Sequence, residues 1–200
     1  MSRDFFAAKA GQYDQSRERV DNVGNIAEAI IRGVKLERSM HLMDFGAGTG
    51  LLLERIAPHV GKITAVDVSP AMIAQLEQKR PQLGCELAIA QLDLEQTAMN
   101  ETFDGIISSM TMHHIREIGL MFSRFYQLVR PGGFIAIADL DQEDGKFHAE
   151  DTGVFHFGFE RTAFGDSAAQ AGFRDVTFST ASTMYRHGRD YPLFLLTASR

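Results

Sequence analysis

Two hundred residues, 44% hydrophobic and 23% charged, match a soluble globular chain that buries roughly 70% of its unfolded surface without disulfide or metal staples. A net charge of −6 and a pI of about 5.6 disfavour nucleic acid as partner, because such binders carry basic patches and the densest basic stretch here, YRHGRD at 185–190, is short and ends in an acid. The single cysteine, Cys85, excludes an internal disulfide, and with neither a signal peptide nor an apolar run of about 18 residues the expectation is a cytoplasmic protein without a membrane span.

Residues 1–40 read as a helical cap before a sheet, chiefly NVGNIAEAIIRGV (22–34). From 41 to 140 short apolar runs alternate with helical patterns. HLMDF (41–45), KITAVDV (62–68), CELAIAQLD (85–93), FDGIISSM (103–110) and GFIAIADL (133–140) are predicted strands, several lacking strict polar alternation, as strands covered on both faces should. The helices between them are TGLLLERIAPHV (49–60), SPAMIAQLEQKR (69–80) with Ser69 as N-cap and Pro70 at the first helical position, and REIGLMFSRFYQLVR (116–130), stopped by PGG at 131–133. A polar and aromatic stretch over 141–161 follows. Residues 162–200 are expected to hold a helix (161–173) and two strand-like runs, 175–186 and 191–199, joined as a hairpin. Strand and helix in regular succession predict an α/β doubly wound parallel sheet, with 1–200 as one domain.

MDFGAGTG (43–50) puts three glycines at the carboxyl end of the first strand, where open α/β sheets bind ligands. Its acidic company argues against a phosphate. Asp44 precedes the first glycine, Asp67 ends the second strand where it can accept from ribose hydroxyls, and Asp93 ends the third where it can accept from an adenine amino group. No lysine or arginine stands between 39 and 54. The dinucleotide fingerprint needs glycine at 51, which is Leu51, and no G-K-[ST] follows. A cationic sulfonium cofactor, S-adenosylmethionine, suits this rim better.

At DFGAGTG (44–50), VDVSPAMI (66–73), QLDLE (91–95), FDGIISSMTMHHI (103–115) and LVRPGGFIAIAD (128–139) the chain resembles the class I S-adenosylmethionine-dependent methyltransferases. The pattern is closest to their small-molecule and quinone-methylating branch. The resemblance implies a Rossmann-like seven-stranded sheet, mostly parallel with the last strand antiparallel, and helices on both faces. It also implies a cofactor site. Gly46 and Gly48 would line the methionine part with Asp44 nearby, and Asp67 would hold the ribose. Val68 and Met72 would pack on the adenine, Asp93 and Leu94 would meet its edge, and Ser109 would lie beside the cofactor. Tyr13, in GQYD (11–14), resembles an N-terminal tyrosine that covers it.

Methyl transfer asks a protein to orient a nucleophile, exclude water and sometimes take a proton, for which histidine is suited. His113 follows the fourth strand and is the expected substrate-facing base, against the alternative that it and His114 merely cap the next helix. The family's base-modifying DNA enzymes carry an Asn/Asp-Pro-Pro-aromatic tetrad here; SSMTMHH lacks it, so a small-molecule acceptor is expected. The stretch 141–161 reads as a substrate lid, with His148 to handle a proton and Phe147, Phe155, Phe157 and Phe159 to bury an apolar acceptor. Two other readings are a solvated loop and a metal site from Asp139, Asp141, Glu143 and His148; no tight ligand pair supports the metal. For the whole chain the alternatives are a non-catalytic cofactor-binding protein of the same fold and a nicotinamide oxidoreductase. The latter leaves Asp44 and Asp93 unexplained.

Overall fold

The computed structural model describes residues 4–148 and 152–200. The strands are His41–Phe45 (β1), Lys62–Asp67 (β2), Glu86–Gln91 (β3), Phe103–Ser109 (β4), Val129–Leu140 (β5), Arg174–Arg186 (β6) and Arg189–Ser199 (β7). They form one seven-stranded sheet in the order β3-β2-β1-β4-β5-β7-β6. The first five are parallel, while β7 runs antiparallel to both β5 and β6. The doubly wound sheet with an antiparallel closing strand is therefore present. Two apolar cores flank it. Arg17–Gly33 (α1), Leu51–Ile56 (α2) and Pro70–Lys79 (α3) contribute to one; Ile118–Leu128 (α4) and Arg161–Gln170 (α5) contribute to the other. No helix among the described residues is long and apolar enough to cross a membrane.

Local chemistry explains where the boundaries fall. α1 begins a turn before the apolar pattern suggests, because Ser16 Oγ accepts from Arg19 N at 3.4 Å and caps it. Its Val23, Ile26, Ala27 and Ile30 then recur at helical spacing and are buried. α2 is shorter than expected. Pro58 sits in a 3-10 turn, Ala57–His59, and cannot donate the next helical hydrogen bond. α3 starts as expected, with Ser69 Oγ accepting from Met72 N at 3.2 Å. The PGG breaker does end α4, but the chain is already extended at Val129, and Gly132 takes φ +81° inside the strand. β3 stops at Gln91, so Asp93 lies in the turn beyond it rather than at the strand end.

Of the expected lid, residues 149–151 fall outside the described residues. The rest folds back on the end of β5. Gln142 N donates to Phe159 O, Glu143 N to Phe157 O and Phe159 N to Leu140 O, each at 2.9 Å. The Arg161 guanidinium grips Asp141 with two bonds of 2.7 Å. The loop's phenylalanines divide: Phe147 and Phe159 are buried, whereas Phe155 and Phe157 point to solvent. Only two of the four can help to bury an acceptor.

Candidate active site

The β1–α2 loop holds Gly46, Gly48 and Gly50 at φ +70°, +55° and +83°, a region costly to side chains with a Cβ. Their roles differ. A Cβ on Gly46 would stand 2.2 Å from Thr111 Oγ1, and one on Gly50 would stand 2.5 Å from Leu76 Cδ1. One on Gly48 would meet nothing within 4 Å. Two of these glycines therefore serve packing, and the third keeps the backbone open. Gly48 N donates to Asp67 Oδ2 at 2.7 Å and Ser69 N to Asp67 Oδ1 at 2.8 Å, so the carboxylate is set in place before any ligand arrives.

Asp44 is buried and its Oδ2 has no partner among the described residues. Burial first, and the neighbouring Asp67 carboxylate second, push its pKa up to about 8. Burial also raises the Asp67 pKa against the hydrogen bonds from Ser69 and Gly48. Ser109 Oγ, at the end of β4, is buried with no partner among the described residues. Tyr13 lies in a 3-10 turn, Ala10–Gln15. It is tied to this corner through its neighbour Asp14, which accepts from Thr49 Oγ1 at 2.5 Å. Burial lifts the Tyr13 hydroxyl pKa, while the Arg19 guanidinium, 3.9 Å from the ring centroid, opposes the rise. Tyr13, Asp44, Gly46, Gly48, Asp67 and Ser109 thus gather at the carboxyl ends of β1, β2 and β4. Around the expected adenine position, Val68 is exposed while Met72 and Leu94 are buried. The Asp93 carboxylate holds its own turn, accepting from Glu95 N and Gln96 Nε2 at 2.8 Å each.

Past β4, a 3-10 turn, Met112–His114, carries His113 under the lid. His113 Nδ1 lies 2.7 Å from Asp139 Oδ1, with both side chains essentially excluded from solvent. Asp139 also accepts from Leu140 N at 2.7 Å and His113 N at 3.3 Å. Acting as an acceptor throughout, it places the ring proton on Nδ1 and leaves Nε2 as the basic nitrogen. Two further imidazoles adjoin it: the His113 ring centroid is 4.3 Å from that of His114 and 5.3 Å from that of His148. Burial first, and the electrostatic interaction with the adjoining His113 second, lower both neighbours to about 4, so both are neutral at pH 7. His148 Nε2 is buried with no partner among the described residues.

His113 and His148 are thus brought together as expected, and the sequence reading missed what orients the first. Asp139 was weighed there only as a metal ligand, although an acid closing an apolar strand run was its visible signal. The other carboxylates of that set have protein partners. Asp141 is held by Arg161, and Glu143 Oε2 accepts from Lys146 N and Phe147 N at 2.8 and 3.2 Å.

A surface groove of about 690 Å³ lies at the opposite end of the strands, between Lys35, Asp104, Arg130 and Ser199. None of the buried unpartnered side-chain atoms among the described residues belongs to its lining.

Residues 43–135 match the family model described as a methyltransferase domain. An uncharacterized methyltransferase of Schizosaccharomyces pombe is 25% identical over 146 residues, 68% of this chain and 51% of that protein. A ubiquinone biosynthesis O-methyltransferase of Azorhizobium caulinodans is 25% identical over 112 residues, 56% of this chain and 44% of its own length. The chain thus spans about half the length of these curated relatives. In fold it resembles phosphoethanolamine N-methyltransferase 2 of Haemonchus contortus, solved with S-adenosylmethionine, at a TM-score of 0.73 and 16% identity, covering 100% of this chain and 60% of that one. Over residues 43–135 and in its fold the chain is thus similar to the class I S-adenosylmethionine-dependent methyltransferase family. An unpartnered acid beside a glycine that faces open space fits that family's cationic cofactor.

Proposed function

We propose that the chain transfers a methyl group from S-adenosylmethionine to a small-molecule acceptor, and that His113 takes the acceptor's proton. The observation that carries this reading is the buried His113–Asp139 pair at 2.7 Å, standing just past Ser109 and Thr111. When bound, the cofactor supplies a methyl carbon activated by a positively charged sulfur. The protein's residues do the remaining work. Asp67, already aligned by Gly48 N and Ser69 N, accepts from the ribose hydroxyls. Asp44 offers negative charge to the cationic end, and Gly46 and Gly48 let the backbone approach. Val68, Met72, Asp93 and Leu94 form the adenine side, Ser109 flanks the cofactor, and Tyr13 covers it. His113 Nε2 accepts a proton while Asp139 stabilises the imidazolium that forms. The lid and His148 exclude water from that corner. The net charge of −6 and the quinone-pathway name of one relative favour a small molecule over nucleic acid.

His113→Ala tests the reading. With methyl-labelled cofactor and a panel of phenols, carboxylates and amines, turnover should fall about 10²–10⁴-fold. S-adenosylhomocysteine affinity, read by calorimetry, should stay within about twofold of the parent's, because the ring belongs to the acceptor side. Turnover equal to the parent's would remove His113 from the mechanism.

A further inference from the structure

Beside the histidines, the hairpin and α1 build a second wall. Cross-strand register pairs Met184 with Tyr191 and Arg186 with Arg189, so Ser182, Met184, Arg186 and Tyr191 share one face. α1 runs down it. Glu18 Oε1 accepts from Arg186 Nε at 3.2 Å, and Asn25 Nδ2 donates to Ser182 Oγ at 3.2 Å. Asn22, one turn beyond Glu18 and between those two anchors, therefore stands over Met184 and Tyr191. Phe147 closes the side toward the lid. Its ring centroid lies 5.2 Å from that of Tyr191, 4.9 Å from that of His148, and 4.4 Å from Arg186 Cζ.

Three buried polar atoms here have no partner within hydrogen-bonding geometry among the described residues: Asn22 Oδ1, the Tyr191 hydroxyl and His148 Nε2. The Arg189 guanidinium, 4.3 Å from the Tyr191 ring centroid, interacts with that hydroxyl. Buried polar groups are nearly always hydrogen-bonded, so several orphans in one wall mark a place where a ligand completes the bonding. Arg186 gives only its Nε to Glu18. Its two terminal nitrogens, the edge that receives carboxylates and phosphates, have no partner among the described residues. Among the described residues, the neighbouring acids Asp144 and Glu143 turn to Arg189 and to backbone N–H groups rather than to Arg186. Asp144 takes two bonds from Arg189, at 2.7 and 3.0 Å. Glu143, whose Oε1 is also unpartnered, is capped by two backbone N–H groups and lies 3.7 Å from Arg189. Arg186 makes its charge felt at both Tyr13 and His148, which places it between the cofactor corner and the histidines.

We infer that this wall is the acceptor's recognition subsite. The acceptor carries an oxyanion, a carboxylate or a phosphate, received by the terminal guanidinium nitrogens of Arg186 and the Tyr191 hydroxyl, with the Asn22 amide beside them. The inference rests on the small-molecule reading above and names the class of molecule.

The test needs no turnover. Protein saturated with S-adenosylhomocysteine is titrated with benzoate, phenyl phosphate and neutral benzamide, and affinities are read by calorimetry. One of the two anions should bind at least tenfold tighter than benzamide, and which one does identifies the group. Arg186→Gln should cost that anion about tenfold or more, and Tyr191→Phe about three- to fivefold. Thermal midpoints of both variants report folding; if Arg186→Gln fails to fold, Tyr191→Phe and Asn22→Ala carry the test. Failure of either anion to outbind benzamide, or unchanged anion affinity in the folded variants, overturns the inference. Failure of S-adenosylhomocysteine itself to bind would instead strike at the methyltransferase reading.

Discussion

The proposed seating of the cofactor's cationic end beside Asp44 predicts that binding releases a proton. With a pKa of about 8 in the free protein, the Asp44 carboxyl is about 90% protonated at pH 7. A sulfonium and an ammonium arriving beside it favour the anion, so the proton leaves as the cofactor binds. Calorimetry at pH 7 in two buffers of different ionisation enthalpy should find roughly 0.9 proton released per S-adenosylmethionine bound. Between pH 6 and pH 7 the same linkage tightens apparent affinity about ninefold. Above that window the cofactor's own amino group, with a pKa near 7.7–8.0, titrates in the opposite sense. Asp67, whose pKa is also raised, is separated by the variant Asp44→Asn. That variant should bind more weakly, release little proton and lose most of the pH 6–7 slope. No release from the parent protein, or an equal release from Asp44→Asn, would refute the assignment.

The same acid has a stability signature. A carboxyl whose folded pKa lies above its unfolded value of 3.8 stabilises the fold fully only below that unfolded value, and the contribution is lost as pH rises toward 8. Without ligand, Asp44→Asn should therefore be more stable at pH 7, by about 2 kcal/mol after the cost of a buried amide. That predicts a thermal midpoint higher by about 4–8 °C; a midpoint lower than the parent's would contradict it. The glycines separate packing from binding. Gly46→Ala should cost about 2–3 kcal/mol through its clash with Thr111. Gly48→Ala should cost only about 1 kcal/mol yet weaken S-adenosylhomocysteine binding more than tenfold. Equal thermal shifts and equal affinities in the two would undo that distinction. Asp139→Asn should leave S-adenosylhomocysteine binding intact while lowering turnover about 10²-fold or more, because the wrong tautomer then faces the acceptor; turnover within twofold of the parent's would exclude an orienting role.

The sequence made the sheet legible because the inner parallel strands β1, β2, β4 and β5 are largely buried and so appear as mainly apolar runs. Ser69 and Pro70 likewise announced α3, since an N-cap and a proline at the first helical position act locally. What local pattern could not supply was pairing across the chain. Asp139 meets His113 only because β4 and β5 are neighbours in the sheet. Thr111 fills the space above Gly46 for the same reason. Arg186 reaches Glu18 because the hairpin folds back on the first helix, a contact spanning most of the chain. The phenylalanines of 141–161 looked alike in sequence, and only the way Gln142 and Glu143 pair with Phe159 and Phe157 sorts the buried from the exposed. Asp93 shows the reverse limit. Its spacing suggested a ligand contact, but not that the same carboxylate also braces its own turn by accepting from Glu95 N and Gln96 Nε2.

The two halves of the site draw on different stretches of chain. The corner around Asp44, Gly48 and Asp67 is made from consecutive β–α turns, while Glu18, Asn22, Phe147, His148, Arg186 and Tyr191 come from the first helix, the loop after β5 and the last hairpin. On the proposed reading, substitutions in that second group would retool which molecule is accepted without disturbing the seat for the donor. The fold therefore offers a division of labour in which new acceptors are reached by varying the chain's extremities and the donor chemistry is inherited unchanged.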